Sequence, residues 1–438
     1  MTIRHPLIIK FGGATLSSPE EVVRWIHQRY TDEGPMVIVL SAREGVTDLL
    51  RSVIHAPRAV ADHARTLRQI RALHPGMPEG GEALLVRLAR LVQEAEQEGE
   101  VDPPLADRIV SQGERLAVQW ILPQLEAKGI PAVGFEADHL GMITDNEYGA
   151  STILLHRTAG PVRQLLLPRL RAGQVPVITG FIGRSLEGRV TTLGRGGSDY
   201  TATALGAILH ASHVELVKRE VSVLTGDPRL IPSARPISRL SYGEAEELAQ
   251  FGAKVLHPLT VEPAREARLE VHVMALDDPS VRTVIGPTSG RGGMRALTLL
   301  SPVALVRIRV AGGRQRPGVV AEVSRRLTAA GLNIVTLFTS STLLNVVLEQ
   351  AHGEDGRKIL QSLADRDWIT VDGPHRIGLL TAIGNGVLAD VARLAPALLR
   401  LGEGLSATPR SVSLAVPVTA APRVLVAMHR ALVERRAT

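Results

Sequence analysis

Short runs of buried-type residues alternate with helical stretches along the first two thirds of the chain, and this alternation limits the fold more than any other feature. "PLIIKF", "MVIVL", "IPAVGF" and "VPVITGF" lack the polar alternation of a half-exposed strand, so they read as strands covered on both faces of a sheet. Between them lie amphipathic segments. "SSPEEVVRWI" carries Ser18 as a helix cap, Pro19 in the first turn and Glu21 to complete a capping box. "DRIVSQGERLAVQWILPQL" reads as one longer helix. Strand–helix alternation of this kind predicts an α/β domain on a largely parallel sheet over residues 1–290.

Composition excludes several classes. The 438 residues contain no cysteine, which removes disulfides, thiolate catalysis and Cys-based metal sites. Apolar content of 45% and charge of 21% are ordinary for a globular chain, and no window approaches the ~18 apolar residues of a membrane span. The start, "MTIRHPLIIKFGG", has no signal-peptide pattern, and the protein is expected to be cytoplasmic. The net charge of +6 comes from scattered arginines, and 3% aromatics offer few stacking platforms, so nucleic acid is not an expected partner. Only five of the 50 Lys and Arg residues are lysines: Lys10, Lys128, Lys218, Lys254 and Lys358. In a chain that defaults to arginine, a lysine marks a place for a compact, mobile point charge.

Around "IGPTSGRGGMRA" (285–296) periodicity is lost and glycine accumulates, which places a domain boundary there. Two α+β modules follow, at 297–370 and 371–438.

Three stretches carry chemistry. At "IIKFGGATLSSPEEV" a strand ends in Lys10, Gly12 and Gly13 turn the chain, and a capped helix begins; backbone amides, a helix dipole and a lysine there suit phosphate. "TTLGRGGSDYTATALGA" places three glycines around Arg195 and Ser198 at the expected N-cap of an apolar helix, a setting for a small charged ligand. "VLSAREGVTDLL" sets Ser41 and Thr47 hydroxyls at a strand's carboxyl end, the edge at which open α/β sheets bind ligands. Glu114 in "VSQGERLAV", Asp227 and Arg229 in "LTGDPRLIP", and Lys254 in "FGAKVLHPLT" are further candidates. Taken singly, each also reads as a surface or turn residue.

In this order the stretches resemble those of the aspartate kinases of the amino-acid kinase family, over nearly the whole chain. "KFGG", "SAREGVTDLL", "SQGERL", "GFIG", "TTLGRGGSDYTA", "TGDPR" and "FGAKVLHP" carry the resemblance. It implies an amino-acid-kinase-like domain followed by paired ACT domains. It implies that Arg195 clamps the substrate α-carboxylate and that Glu114 accepts its ammonium, with Thr47 and Ser198 assisting. Asp199 would order the loop and Lys10, while Lys10 and Lys254 carry the phosphoryl charge. Gly12, Gly13, Lys218, Arg219, Asp227, Arg229 and Lys254 would meet the nucleotide. ATP and Mg²⁺ are the implied cofactors, with the ion held chiefly by the phosphates and no protein metal site. The implied partners are an acidic amino acid, the nucleotide and a second copy of the chain through the ACT modules.

The pattern breaks at "VKREVSVL" (217–224), where family members usually run Trp-Thr-Asp-Val-Asp-Gly-Val-Tyr. Lys218 and Arg219 replace the Thr-Asp pair, so two cations are expected where a carboxylate met a ribose. A pocket that takes ATP differently, a kinase of a related acidic amino acid or another phosphate donor, and a non-catalytic amino-acid-binding paralogue all remain open at this point. In "NIVTLF", Val335 stands where members regulated by lysine or threonine usually carry aspartate, so such feedback is not expected.

Overall fold

Every residue of the strand Leu7–Phe11 is buried, and the same is true of Met36–Leu40, Val175–Thr179 and Val271–Ala275. The sheet they form is therefore covered on both faces. The computed structural model describes residues 5–32, 34–219, 223–252, 256–290, 292–311, 318–340, 342–364, 368–392 and 403–432. They form two compact units. The first comprises Met1–Val223, Ser238–Tyr242 and Leu256–Thr288; the second comprises Leu224–Ile237, Gly243–Val255 and Ser289–Thr438.

In the first unit the elements run β1 (Leu7–Phe11), α1 (Pro19–Asp32), β2 (Met36–Leu40), α2 (Val46–His55), α3 (Val60–Ala72), α4 (Glu79–Glu98), α5 (Pro103–Val110) and α6 (Gln112–Glu126). They continue with β3 (Ala132–Phe135), α7 (Ala137–Leu140), α8 (Leu155–Arg171), β4 (Val175–Thr179), β5 (Ile182–Arg184), β6 (Val190–Thr192), α9 (Gly197–Leu209) and β7 (Val214–Lys218). After a passage through the second unit come β8 (Arg239–Ser241), α10 (Tyr242–Gln250, only its first residue in this unit), α11 (Pro258–Glu266), β9 (Val271–Ala275) and β10 (Arg282–Gly286). The sheet order is β3-β4-β2-β1-β7-β9-β10-β8. All neighbours are parallel except β9 and β10, as the alternation predicts.

The period of two along β1 assigns the layers. Leu7, Ile9 and Phe11 share a core with Trp25 and Ile26 of α1 and with Trp120 and Ile121 of α6. Ile8 and Lys10 thus face the other layer, where α9 packs on β1. Helix α9 is buried nearly all round, which explains its Ala- and Thr-rich sequence: small side chains let it lie close to the strands. Helices α2 to α5 form a satellite core of their own, with Leu50, Val53, Leu88, Leu91 and Ile109 at its centre.

Two local expectations are corrected. The long helix at 107–125 is broken at Ser111, which ends α5 by donating its N–H to Asp107 O and its hydroxyl to Arg108 O, while α6 starts anew. The cap of α9 is Gly196, at φ +76°, and Ser198 lies inside the first turn. A left-handed cap residue favours glycine over serine, so the helix starts earlier than the serine suggests.

The second unit holds a six-stranded antiparallel sheet, ordered β12-β13-β11-β14-β16-β15. Its elements are β11 (Ala296–Val310), α12 (Val319–Ala329), β12 (Ile334–Thr339), β13 (Leu343–Glu349), α13 (Gly353–Gln361), β14 (Ile369–Ile383), α14 (Val387–Ala392), β15 (Glu403–Ala407), β16 (Ser411–Pro417) and α15 (Ala421–Leu432). These make two α+β ACT-like modules that share their central strands. The far half of β11 (Ala304, Val306, Ile308) lines one core with α12 and α13, whereas Leu297, at its start, lines the other with Leu380, Val412, Val424 and Leu425. The expected division at 370/371 thus falls inside β14. Residues 224–237, expected within the first domain, contribute Ile231 to the second of these cores. Local periodicity cannot reveal a strand that serves two cores.

Ile9 sits at the centre of the parallel sheet with no exposed surface. Ile9→Ala should cost about 2–5 kcal/mol, read as a lower denaturant midpoint of the fluorescence of Trp25 and Trp120, both in the same core.

Candidate active site

Strands β1 and β7 are parallel neighbours with Lys10 opposite Leu216. Lys218, two residues on, therefore emerges on the same face as Lys10, beneath the N-terminus of α9. Asp199, in the first turn of that helix, lies between them. Lys10 Nζ is 2.6 Å from Asp199 Oδ1, and Lys218 Nζ is 3.5 Å from Oδ2. Burial alone would push the Asp199 carboxyl up, but Lys10 and Lys218 outweigh it and hold the group below its ordinary value. Burial pushes Lys218 down; Asp199 opposes this, and Lys10 adds to it. Two ammonium groups thus meet Asp199 under a helix N-terminus, a setting for an anion.

The β1–α1 turn crosses the β2–α2 loop at close range. A β-carbon on Gly13 would come within 2.5 Å of the Ala42 carbonyl oxygen, so this glycine is fixed by a backbone crossing. Of the expected glycine pair, Gly12 donates its N–H to the Val217 carbonyl and stitches β1 to β7. Thr15 is buried with its hydroxyl on Gly12 O. Thr47 is half-buried in the first turn of α2.

Helix α6 approaches the same loop. A β-carbon on Gly113 would lie 2.7 Å from Ala42 Cβ, and this closeness lets Glu114 Oε1 accept the Ala42 N–H at 3.0 Å. Glu114 Oε2 is buried and has no hydrogen-bond partner among the described residues. Burial raises its pKa to about 7, against the pull of the Ala42 amide, Lys10 and Arg115. Far from an exposed glutamate, it is a carboxylate held ready for a cation.

The neighbouring Arg115 went unnoticed in the sequence. Its side chain is fully buried and holds Glu136 together with Asp138, the latter at 2.8 Å. It ties α6 to the β3–α7 turn. Glu136, Asp138 and His139 also have the spacing of a cation cluster, but the Arg115 guanidinium already supplies the positive charge there. The signal was a second charged residue beside Glu114 on an otherwise buried helix face.

The loop at 193–197 presents Arg195 outward; the side chain is exposed. Ser198 is buried against Gly180, where a β-carbon would lie 2.5 Å from Ser198 Cβ. Phe181 beside it holds φ +66° and donates its N–H to Thr201 Oγ1.

Arg219 is brought elsewhere. Its guanidinium donates to Ser18 Oγ at 2.8 Å and pairs with Glu21 at 3.1 Å, so both side chains of the expected capping box turn to it. Asp227 and Arg229 belong to the second unit, where they pair with each other at 2.6 Å. Lys254 lies outside the described residues.

A parallel sheet with a glycine turn, a lysine-carboxylate-lysine cluster and a helix N-terminus at its carboxyl edge defines a phosphoryl-handling α/β enzyme. Residues 6–275 match the model of the amino acid kinase family, and the chain belongs to that family. Its relatives there are aspartokinases. Lysine-sensitive aspartokinase 3 of Escherichia coli is 31% identical over 354 residues, 78% of each chain. Aspartokinase of Thermus thermophilus is 35% identical over 228 residues, 52% of this chain and 55% of that one. Among solved structures, E. coli aspartokinase III in complex with aspartate and ADP (R-state) matches with a TM-score of 0.81 at 26% identity, covering 98% of this chain and 99% of that one. Among the described residues no helix is long and apolar enough to cross a membrane.

The cluster makes an asymmetric prediction. Asp199→Ala removes the carboxylate that Lys10 and Lys218 share and should cost about 3–5 kcal/mol, whereas Lys218→Met leaves the shorter Lys10–Asp199 pair intact and should cost far less. Equal losses in chemical denaturation would mean that Asp199 does not neutralise both lysines.

Proposed function

We propose that the chain is an aspartate kinase that transfers the γ-phosphoryl group of ATP to the β-carboxylate of L-aspartate, giving 4-phospho-L-aspartate and ADP. Glu114 carries the reading. A buried carboxylate with one oxygen on the Ala42 amide and the other without a hydrogen-bond partner among the described residues is the complement of an amino acid's ammonium group. Arg195 would take the α-carboxylate through two parallel hydrogen bonds, with Thr47 and Ser198 alongside. The E. coli relative was solved with aspartate and ADP, which supports the same pair of ligands here.

The aspartate β-carboxylate is ionised at neutral pH, so no general base is required. One of its oxygens attacks the γ-phosphorus; an O–P bond forms as the bond to the β,γ-bridging oxygen breaks, and ADP leaves. Catalysis is then positioning and charge neutralisation. Lys10 and Lys218 face the phosphates, Asp199 holds both in place, and Lys254 joins them by the family pattern. The Gly12–Gly13 turn brings backbone amides to the phosphates. Arg219 anchors α1 instead. Asp199 is taken by two lysines, so Mg²⁺ would ride on the nucleotide phosphates and supply charge neutralisation there.

The ACT-like modules are read as dimer-forming: β12 and β15 end the six-stranded sheet within the chain, and such edges accept a second copy. The enzyme is read as cytoplasmic. Sedimentation should give twice the 47.0 kDa chain mass; a monomer at micromolar concentration would remove this part of the reading.

The direct test traps the acyl phosphate with hydroxylamine, comparing L-aspartate with other acidic amino acids. A hydroxamate from aspartate supports the reading, one from another acid alone reassigns the substrate, and none with any acid removes the kinase. A second test is pH. Glu114 must be ionised to accept an ammonium, and its pKa is about 7. The KM for aspartate should therefore fall as pH rises toward 7 and level off above it. Glu114→Gln should raise that KM by about ten- to a hundredfold and abolish its dependence on pH in this range.

A further inference from the structure

Helix α5 turns two faces to the protein. Leu105 and Ile109, one turn apart, enter the satellite core, so Asp107 between them points the other way, toward β6, on which the helix packs. The carboxylate is buried there, and its three hydrogen bonds among the described residues all reach two loops. Oδ2 accepts the N–H of Thr192 at 2.8 Å and the N–H of Gly149 at 3.0 Å, while Oδ1 accepts the Thr192 hydroxyl at 2.7 Å. Burial pushes this carboxyl above its ordinary value, and the three bonds pull the other way. The reaction proposed above makes no use of it.

What Asp107 holds lies directly before Arg195. Thr192 ends β6, and Leu193 and Gly194 lead on to the exposed Arg195. The Thr192 carbonyl accepts the Ser151 N–H at 2.9 Å, and Leu193 donates its N–H to Phe181 O at 2.9 Å. Gly194, at φ +68°, rests on the other loop that Asp107 binds. A β-carbon there would lie 3.0 Å from the Gly149 carbonyl oxygen and 3.3 Å from Ala150 Cα. Both contacts are to backbone, so the approach is set by where the two chains run. One carboxylate oxygen shared by the Thr192 and Gly149 amides fixes that separation. A glycine-rich loop has little stiffness of its own, so the aim of Arg195 depends on the ground that carries it.

We propose that Asp107 is the positioning residue for the Arg195 loop: its carboxylate ties the strand end before Arg195 to the wall on which Gly194 rests, and so holds the guanidinium where the substrate carboxylate binds. The proposal rests on the carboxylate-clamping role of Arg195 given above. Clamping acts in the ground state and the transition state alike, so a loosened loop weakens amino-acid binding and spares turnover at saturation.

The test compares Asp107→Ala with Asp107→Asn. Asparagine can keep all three bonds: its carbonyl oxygen accepts the two amides, and its NH₂ donates to the Thr192 hydroxyl, the one partner able to reverse its role. D107A should raise the KM for aspartate about tenfold, with kcat and the KM for ATP within about twofold of wild type. D107N should stay within about threefold of wild type in all three. The D107A effect should vanish in an Arg195→Met background. Hydrogen exchange at Leu193 and Gly197 is a readout that needs no substrate. D107A keeps their acceptors, Phe181 O and Gly194 O, yet both amides should exchange faster, and D107N should restore them. Should D107A not fold, Thr192→Val, which removes only the hydroxyl bond, must quicken the same two amides. If wild type fails to turn over aspartate, the kinase reading falls and the exchange measurement still decides the tie. Unchanged exchange at both amides, a D107N as impaired as D107A, or a loss confined to kcat or thermal stability overturns the role of Asp107.

Discussion

A single carboxylate shared by a buried and a half-buried ammonium group sets the terms for the rest of the site. Asp199 is stable as an anion because Lys10 and Lys218 lie against it, and it offsets their charge in return. The register of β1 against β7 brings the lysines to one face. The N-terminus of α9 delivers the carboxylate, and an acid in a first turn is favoured by the helix dipole. Sheet, helix and charge cluster therefore depend on one another: a one-residue slip of either strand would turn its lysine into the opposite layer, among the side chains of the α1 and α6 core.

The same economy governs the Glu114 side of the site. Gly13 and Gly113 are both fixed by contact with the loop after β2, one through Ala42 O and the other through Ala42 Cβ. Between them they bring the turn, the loop and α6 into contact around one amide. Glu114 binds that amide and leaves its second oxygen without a hydrogen-bond partner among the described residues. Such an oxygen has a desolvation cost that only a ligand or a proton offsets, and this is why the group stays protonated up to about pH 7. Lys10 is close enough to pull that value down, so the two halves of the site already feel each other before any ligand arrives.

Much of this was legible in the sequence, where the physics is local. Buried strand runs announced a parallel sheet, and Lys10 at the end of one marked the edge at which it pairs with Asp199. What stayed hidden depends on distant partners. Nothing near Ser198 says that the helix cap is Gly196, because the loop's shape is decided by Phe181, Gly149 and His257. Nothing near Glu21 says that Arg219, two hundred positions away in sequence, will take up its carboxylate. The shared strands β11 and β14 defeat reading by module, since one end of each faces one core and the other end faces a second. Arg115 was concealed by the rule that charged side chains belong outside; buried between two acids, it obeys the exception for paired charges.

Arg219 also changes how the broken family motif must be understood. In sequence, "VKREV" places two cations where the family pattern has threonine and aspartate, which suggests a pocket with its charge fully reversed. In the folded chain the two cations part. Adjacent residues on a strand point to opposite faces, so only Lys218 can join Asp199, and Arg219 is carried to the α1 side, where Glu21 offsets its charge. The site therefore gains one ammonium group and loses one carboxylate; the second substitution stabilises the start of α1 and leaves the phosphate edge alone. An added ammonium at a strand's carboxyl edge favours phosphate oxygens, whereas the lost carboxylate would have favoured a hydroxyl donor. The altered motif thus changes the charge at one strand edge without disturbing the sheet that bears it.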